Sequence, residues 1–265
     1  MAVSATGEHV GSLSGGCIET AVVAEALAAI AECCPREVRF GADSPFIDIR
    51  LPCGGSVDLL ITPVEQPGWA QAIVDQQARR ETVQLTLSRP DGSLFGVSHA
   101  PRLRIAILGQ GASVEALATL ARSIDAEVMA FTPDGAMCER LGPGATLLRS
   151  MGQAITLPSD LWTAFVFFFH DHDWEVRLLA QALGQLSLIV GAMGSHKTHA
   201  ARVQALRNHG ITDDAIARIR APIGLIPSSR DPETLALSSL AEIVAAYNAE
   251  EPTRVSYSLM FGPGI

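Results

Sequence analysis

The stretch TAFVFFF, Thr163–Phe169, constrains this chain more than any other. A strand that is apolar at nearly every position has no face to give to water, so it must lie in a sheet covered on both sides. Sheets of that kind are parallel and need crossover helices, and the surrounding sequence alternates accordingly. RIAILG, Arg104–Gly109, is a continuous apolar strand running into Gln110 and Gly111; ASVEALATLARSI follows as a helix, AEVMAFTP as a second strand, and LIVGAMGS repeats the strand-then-glycine pattern. From Arg102 onward the expectation is a doubly wound parallel sheet of the Rossmann kind. Asp231-Pro232-Glu233 announces a last helix through ALSSLAEIVAAYNA: a capping carboxylate, a proline at the first helical position and an acid in the first turn.

The first hundred residues have a different texture. IETAVVAEALAAIAECC reads as a buried helix stopped by Pro35. EVRFG, FIDIRL and VDLLITPV read as short paired strands, GWAQAIVDQQARRE as an amphipathic helix, and TVQLTLSRPDGSLFGVS as two strands joined at Pro90-Asp91-Gly92. The fold class expected is therefore α/β, with a small N-terminal α+β domain at residues 1–64, a connecting helix and hairpin at 65–101, a Rossmann-like domain at 102–250, and an unassigned tail at 251–265.

Composition excludes several roles. At 265 residues two domains are expected. A net charge of −9 and an isoelectric point near 5.2 repel phosphate backbones, which argues against nucleic acid as a partner. No apolar run reaches the roughly 18 residues of a membrane span, and MAVSATGEHV does not read as a signal peptide. Five cysteines without the spacing of a disulfide framework favour a reducing compartment, so a cytoplasmic protein is expected.

Four glycine-bearing or polar junctions carry the candidate chemistry. GSLSGGCIE, Gly11–Glu19, places Cys17 at the start of the first helix, where the positive end of the helix dipole favours a thiolate and Gly15-Gly16 leaves room for a large partner. Cys53, followed by Gly54 and Gly55, has the same company, and two such thiols suggest a shared site for soft-ligand or sulfur chemistry; the alternative is that both are small buried hydrophobes. Cys33, Cys34 and Cys138 read as inert. Gly109-Gln110-Gly111 begins a dinucleotide fingerprint, but Val114 stands where a third glycine belongs and AFTPD has no acid at the strand end, so a Rossmann-shaped domain without nucleotide is an equal reading. His170-Asp171-His172-Asp173 lies at the carboxyl end of the buried strand, where open α/β sheets bind ligands; alternate strand residues point to opposite faces, which argues against a shared metal, and a helix-capping role for an Asp is the plainer reading. Gly194-Ser195-His196-Lys197 combines backbone donors, a hydroxyl and an ammonium at a helix start, a corner suited to phosphate, or an ordinary serine cap with its lysine in solvent.

Taken in order, GSLSGGCIE, LPCGGSVDLLI, RIAILGQG, FFFHDHD, GAMGSHK, APIGLI and DPETLALSSLAEIVA resemble the XdhC/CoxI family, accessory proteins of molybdenum hydroxylases such as xanthine dehydrogenase and carbon monoxide dehydrogenase. The resemblance implies a small XdhC/CoxI domain followed by a Rossmann-like domain. It also implies a maturation factor that binds molybdenum cofactor, protects it while its terminal sulfur is installed, and delivers it to the apo-enzyme. By motif, Gly15, Gly16, Cys17 and Glu19 correspond to the family's GGC-E element, and Cys53, Gly54 and Gly55 to its CGG element. His170 and Asp171 correspond to its strand-end His-Asp pair, and Gly194, Ser195 and Lys197 to its GS-K element. The departures are Ala112 where the family commonly has His, FTPDG where it has an Asp and Arg, PIGLIPS for a more glycine-rich segment, and an absent or shortened leading strand and helix.

The function expected is cofactor insertion without turnover, with the molybdopterin phosphate at backbone donors and Lys197, and Cys17, with Cys53 as a second candidate, near molybdenum or its labile sulfur. Partners would be an apo molybdenum hydroxylase and a sulfurtransferase, with a homodimer unsurprising for a carrier. Two rivals stand beside it: an NAD(P)-dependent oxidoreductase resting on Gly109 and Gly111, and a cofactor-free scaffold bridging hydroxylase and sulfurtransferase.

Overall fold

The computed structural model describes residues 1–13, 16–46, 51, 54–64, 68–169 and 172–250. They fall into two compact units, Met1–His99 and the residues from Ala100 on.

In the first unit, strands β1 (Ala2–Val3) and β2 (His9–Val10) pair antiparallel and are followed by helix α1 (Glu19–Glu32). That helix stops where Cys33 turns left-handed at φ +52°, two residues before Pro35. Strands β3 (Arg36–Gly41) and β4 (Ser56–Ile61) pair antiparallel from Arg36 opposite Ile61 to Gly41 opposite Ser56. Ile18, Val22, Phe40 and Leu51 form one buried cluster, so the chain entering α1 and the chain preceding β4 share a core. Each such side chain contributes about 1.5–3 kcal/mol through burial. Helix α2 (Trp69–Ala78) precedes the hairpin β5 (Val83–Ser88) and β6 (Leu94–His99). Its turn is held by Asp91, which accepts from the backbone N–H of Ser93 at 2.9 Å. The expected strand FIDIRL falls largely outside the described residues; of its ends, Phe46 and Leu51 are in no strand.

The second unit contains β7 (Arg104–Gly109), α3 (Ala112–Ser123), β8 (Glu127–Thr132), α4 (Gly135–Leu141), β9 (Ala145–Leu147), β10 (Thr163–Phe168), α5 (His172–Leu183), β11 (Ile189–Ala192), α6 (His196–Asn208), α7 (Asp213–Ala217), β12 (Ile219–Arg220) and α8 (Pro232–Glu250). Its six strands are parallel in the order β12-β11-β10-β7-β8-β9, the Rossmann order with the reversal between β7 and β10. TAFVFFF is covered on both faces, as its composition demands. Ala164, Val166 and Phe168 pack with Val114 and Leu117 of α3 and with Ala236, Leu240 and Ile243 of α8. Phe165, Phe167 and Phe169 pack with Val176, Leu179 and Leu183 of α5, Leu206 of α6 and Ile216 of α7.

Candidate functional site

The loop before α1 is organised by one carboxylate. Glu19, buried in the first turn, accepts from Ser12 Oγ at 2.7 Å and from the backbone N–H groups of Leu13 at 3.0 Å, Gly16 at 2.9 Å and Ile18 at 3.1 Å. These are donors of the loop that precedes the helix, and an anion that gathers several of them is a strong acceptor. Glu19 therefore ties down the loop from inside, while the two residues before it face in opposite senses: Ile18 is sealed in the core and Cys17 is exposed. Gly16 sits at φ +110°, a conformation side chains rarely adopt, and a Cβ there would meet none of the described residues within 4 Å.

The companion CGG loop is described from Gly54 on; Cys53 lies outside the described residues, as does Gly15. Gly54 turns at φ +70° with its N–H on Leu51 O at 2.9 Å, and Gly55 O accepts from Ala42 N–H at 3.0 Å, closing the end of the β3–β4 ladder. Leu51 and Ile18 belong to one buried cluster. Cys33 and Cys34, past the far end of α1, are exposed, and Cys138 in α4 is half-buried.

The second set of candidates lines the carboxyl edge of the parallel sheet. Gly109 ends β7 where a Cβ would stand 2.4 Å from Phe168 O, so a glycine is needed for the two strands flanking the reversal point to approach. Gly111, at φ +94°, precedes α3, and a Cβ there would meet none of the described residues within 4 Å. Val114 occupies the third-glycine position as a fully buried core residue. The end of β8 offers no ribose acid: Asp134 is the cap of α4, accepting from Met137 N–H at 3.0 Å. His170 and Asp171 lie outside the described residues. Among the described residues no group of His, Cys, Asp and Glu is arranged to hold a metal.

At the neighbouring strand end, Ser195 caps α6, its Oγ accepting from Thr198 N–H at 3.2 Å; Gly194 turns at φ +120° just before it. The helix starts at His196 because Ser195 supplies the cap. Lys197 is exposed in the first turn. His196, Lys197, His199 and Arg202 all stand on α6, a basic concentration in a chain of net charge −9. His199 is held below the usual histidine range, first by burial, then by the Arg202 guanidinium and His196, with Glu175 opposing.

Sequence reasoning passed over two further residues here. Arg202 and Glu175 are both fully buried, and Arg202 Nη2 donates to Glu175 Oε1 at 2.9 Å and to Met193 O at 2.8 Å. The only signal was a charged residue on each of the apolar faces of α5 and α6, which by itself reads as solvated.

The comparisons follow the same division. A model of the XdhC Rossmann domain matches residues 105–243, and a model of the XdhC and CoxI family matches residues 1–41. The chain belongs to the XdhC family. Over 262 residues it is 31% identical to the molybdenum cofactor insertion chaperone PaoD of Escherichia coli, covering 92% of this chain and 76% of that one. It is also 26% identical over 260 residues to the uncharacterized Escherichia coli protein YqeB, covering 94% of this chain but 40% of YqeB. A crystal structure of a xanthine dehydrogenase from Bacillus halodurans shares the fold, with a TM-score of 0.65 at 18% identity over 94% of this chain and 86% of that one. In this XdhC chain the Rossmann match spans the Gly109, Gly111, Gly194, Ser195 and Lys197 positions, and the shorter match spans Cys17 and Glu19. Among the described residues no helix is long and apolar enough to cross a membrane.

Proposed function

We propose that this XdhC-family protein carries molybdenum cofactor in the cytoplasm and inserts it, after sulfuration by a sulfurtransferase, into an apo molybdenum hydroxylase of the xanthine dehydrogenase or carbon monoxide dehydrogenase kind. The observation that carries the reading is the 31% identity to the insertion chaperone PaoD, which extends over both units. The residues present suit the cargo. An exposed thiol on a loop locked by Glu19 is a soft donor for the molybdenum end. The Ser195-capped start of α6, with Lys197 beside it, offers backbone donors and an ammonium for the phosphate end. The role of Glu19 in this scheme is to hold the loop, since its carboxylate is occupied by loop donors. The nicotinamide reading has no comparable support, because Val114 is packed in the core and Asp134 is committed to capping α4.

The test is anaerobic purification from cells that make the cofactor, followed by fluorescence assay of oxidised pterin released from the wild type and from Cys17→Ser. Pterin bound to the wild type and lost from the variant is expected. Pterin in neither would favour a scaffold without cargo, and equal pterin in both would remove Cys17 from the site.

A further inference from the structure

The motif APIGLI, Ala221–Ile226, has no part in the function proposed above, yet Ala221, Pro222, Gly224 and Leu225 line a cavity of about 660 Å³ in the second unit. The cavity follows from how the sheet is covered. Helix α8 packs over β10 beside α3, and the edge strand β12 is two residues long. A hollow therefore remains between β12 and the carboxyl half of α8, where Glu242 and Ala246 stand. Its walls are fixed. Gly224, at φ +121°, lies so close to α8 that a Cβ would strike Ser238 Oγ. The N–H of Gly224 donates to Glu242 Oε2 at 2.6 Å, and the N–H of Ile226 donates to Ser238 Oγ at 2.7 Å. Ile223 is packed onto Gly191, where any Cβ would collide with it.

Two cations line this hollow in a chain of net charge −9. Arg220 stands opposite Gly191 in the strand register, and Ile223 covers Gly191 from the α8 side, so the Arg220 side chain leaves the sheet on that side. Its neighbour Ile219 goes into the cluster on the other face. Arg220 has no hydrogen-bond or ion-pair partner among the described residues. Arg218 is held in place, its Nη1 donating to Leu183 O at 3.0 Å and its Nη2 to Ser187 Oγ at 3.4 Å. The carboxylate in the lining, Glu242, already has one oxygen on Gly224. Leu188, Leu225 and Ala246 add apolar wall.

We infer that this cavity is a binding site for a small organic anion, whose carboxylate or phosphate group accepts from Arg218 and Arg220 while its body lies against Leu225 and Ala246. Guanidinium groups match the oxygens of such anions in direction as well as charge. The volume is in the range of small-molecule sites, roughly 300–1,000 Å³, and far exceeds what an inorganic ion fills, so the ligand has an organic body. The inference does not depend on carriage of molybdenum cofactor.

The experiment titrates the full-length wild type, Arg220→Gln and Arg218→Gln with 8-anilinonaphthalene-1-sulfonate, an aromatic oxyanion whose emission reports binding. N-phenyl-1-naphthylamine, which has the same rings without the sulfonate, is the neutral control, and thermal midpoints report the fold of each variant. The wild type is expected to bind the sulfonate saturably and the neutral control roughly tenfold more weakly or less. Each arginine variant is expected to lose roughly tenfold or more in affinity for the sulfonate, since a hydrogen bond to a charged group goes with it. Arg220 is exposed, so Arg220→Gln is expected to melt with the wild type, and it carries the test should Arg218→Gln disturb the end of α7. Sulfonate affinity in Arg220→Gln equal to the wild type's would overturn the site. Equal affinity of the wild type for the neutral control, or no saturable binding of the sulfonate, would overturn it too.

Discussion

Glu19 Oε2 accepts the backbone N–H of Gly16 at 2.9 Å, across the one residue pair, Cys17 and Ile18, whose side chains go to water and to the core. The relationship sets the thiol's place. A carboxylate at the first position of a helix reaches back over the preceding turn, and the turn is thereby fixed at both its outer and its inner end.

Replacing that carboxylate with its amide should loosen the loop. Hydrogen bonds to a charged acceptor are each worth about 1.5–3 kcal/mol, so Glu19→Gln is expected to destabilise the first unit by about 1–3 kcal/mol. Denaturant unfolding, with limited proteolysis between Gly11 and Ile18 as a local probe, checks this. An unchanged midpoint together with an uncut loop would show that the carboxylate does not organise it.

Two glycines of the fingerprint should respond differently. Gly109→Ala drives a methyl onto Phe168 O, and overpacking of this kind costs about 1–3 kcal/mol or more. Gly111→Ala meets no described residue within 4 Å and bears only the cost of its backbone, φ +94° and ψ 174°, a region side chains rarely enter, about 1–3 kcal/mol. Urea midpoints of the two variants should rank Gly109→Ala as the more damaged; the reverse order would mean that the β7–β10 approach relaxes freely.

Arg202→Met alone should be far worse than the paired replacement. It leaves Glu175 charged and buried, which costs about 3–5 kcal/mol, whereas removing both charges is close to neutral. A double-mutant cycle on thermal or chemical unfolding measures the difference. Additive single effects would argue that the two side chains are not coupled.

Acid should weaken the α6 region through His199. Its folded value lies below the ordinary 6.5, so the unfolded chain binds the proton more readily. The contribution is fully present above about pH 6.5 and is lost as pH falls toward the folded value. His199→Gln is expected to flatten the wild type's loss of stability between about pH 7 and 5. Equal slopes for the two proteins would show that Arg202, His196 and burial do not disfavour the imidazolium there.

Much of the fold was legible because it follows from local rules. TAFVFFF could satisfy its apolar residues only in a doubly covered sheet, Asp231 announces α8 by accepting from Thr234 N–H at 2.7 Å, and Pro90-Asp91-Gly92 turns the β5–β6 hairpin. The candidate site was less legible. Cys17 could be placed at a helix start, but that Glu19 serves the loop depends on donors three to seven residues away folding around it.

The sequence by itself determined the two kinds of texture, the parallel sheet, its glycine-ended strands and the family, since periodicity, turn residues and ordered motifs are properties of neighbouring positions. Only the tertiary structure decided that Gly109 exists for Phe168, that Leu51 shares a core with Ile18, and that Arg202 and Glu175 meet without water. Those facts join residues from 27 to 59 positions apart, and such contacts arise from the packing of whole elements, which no local pattern encodes.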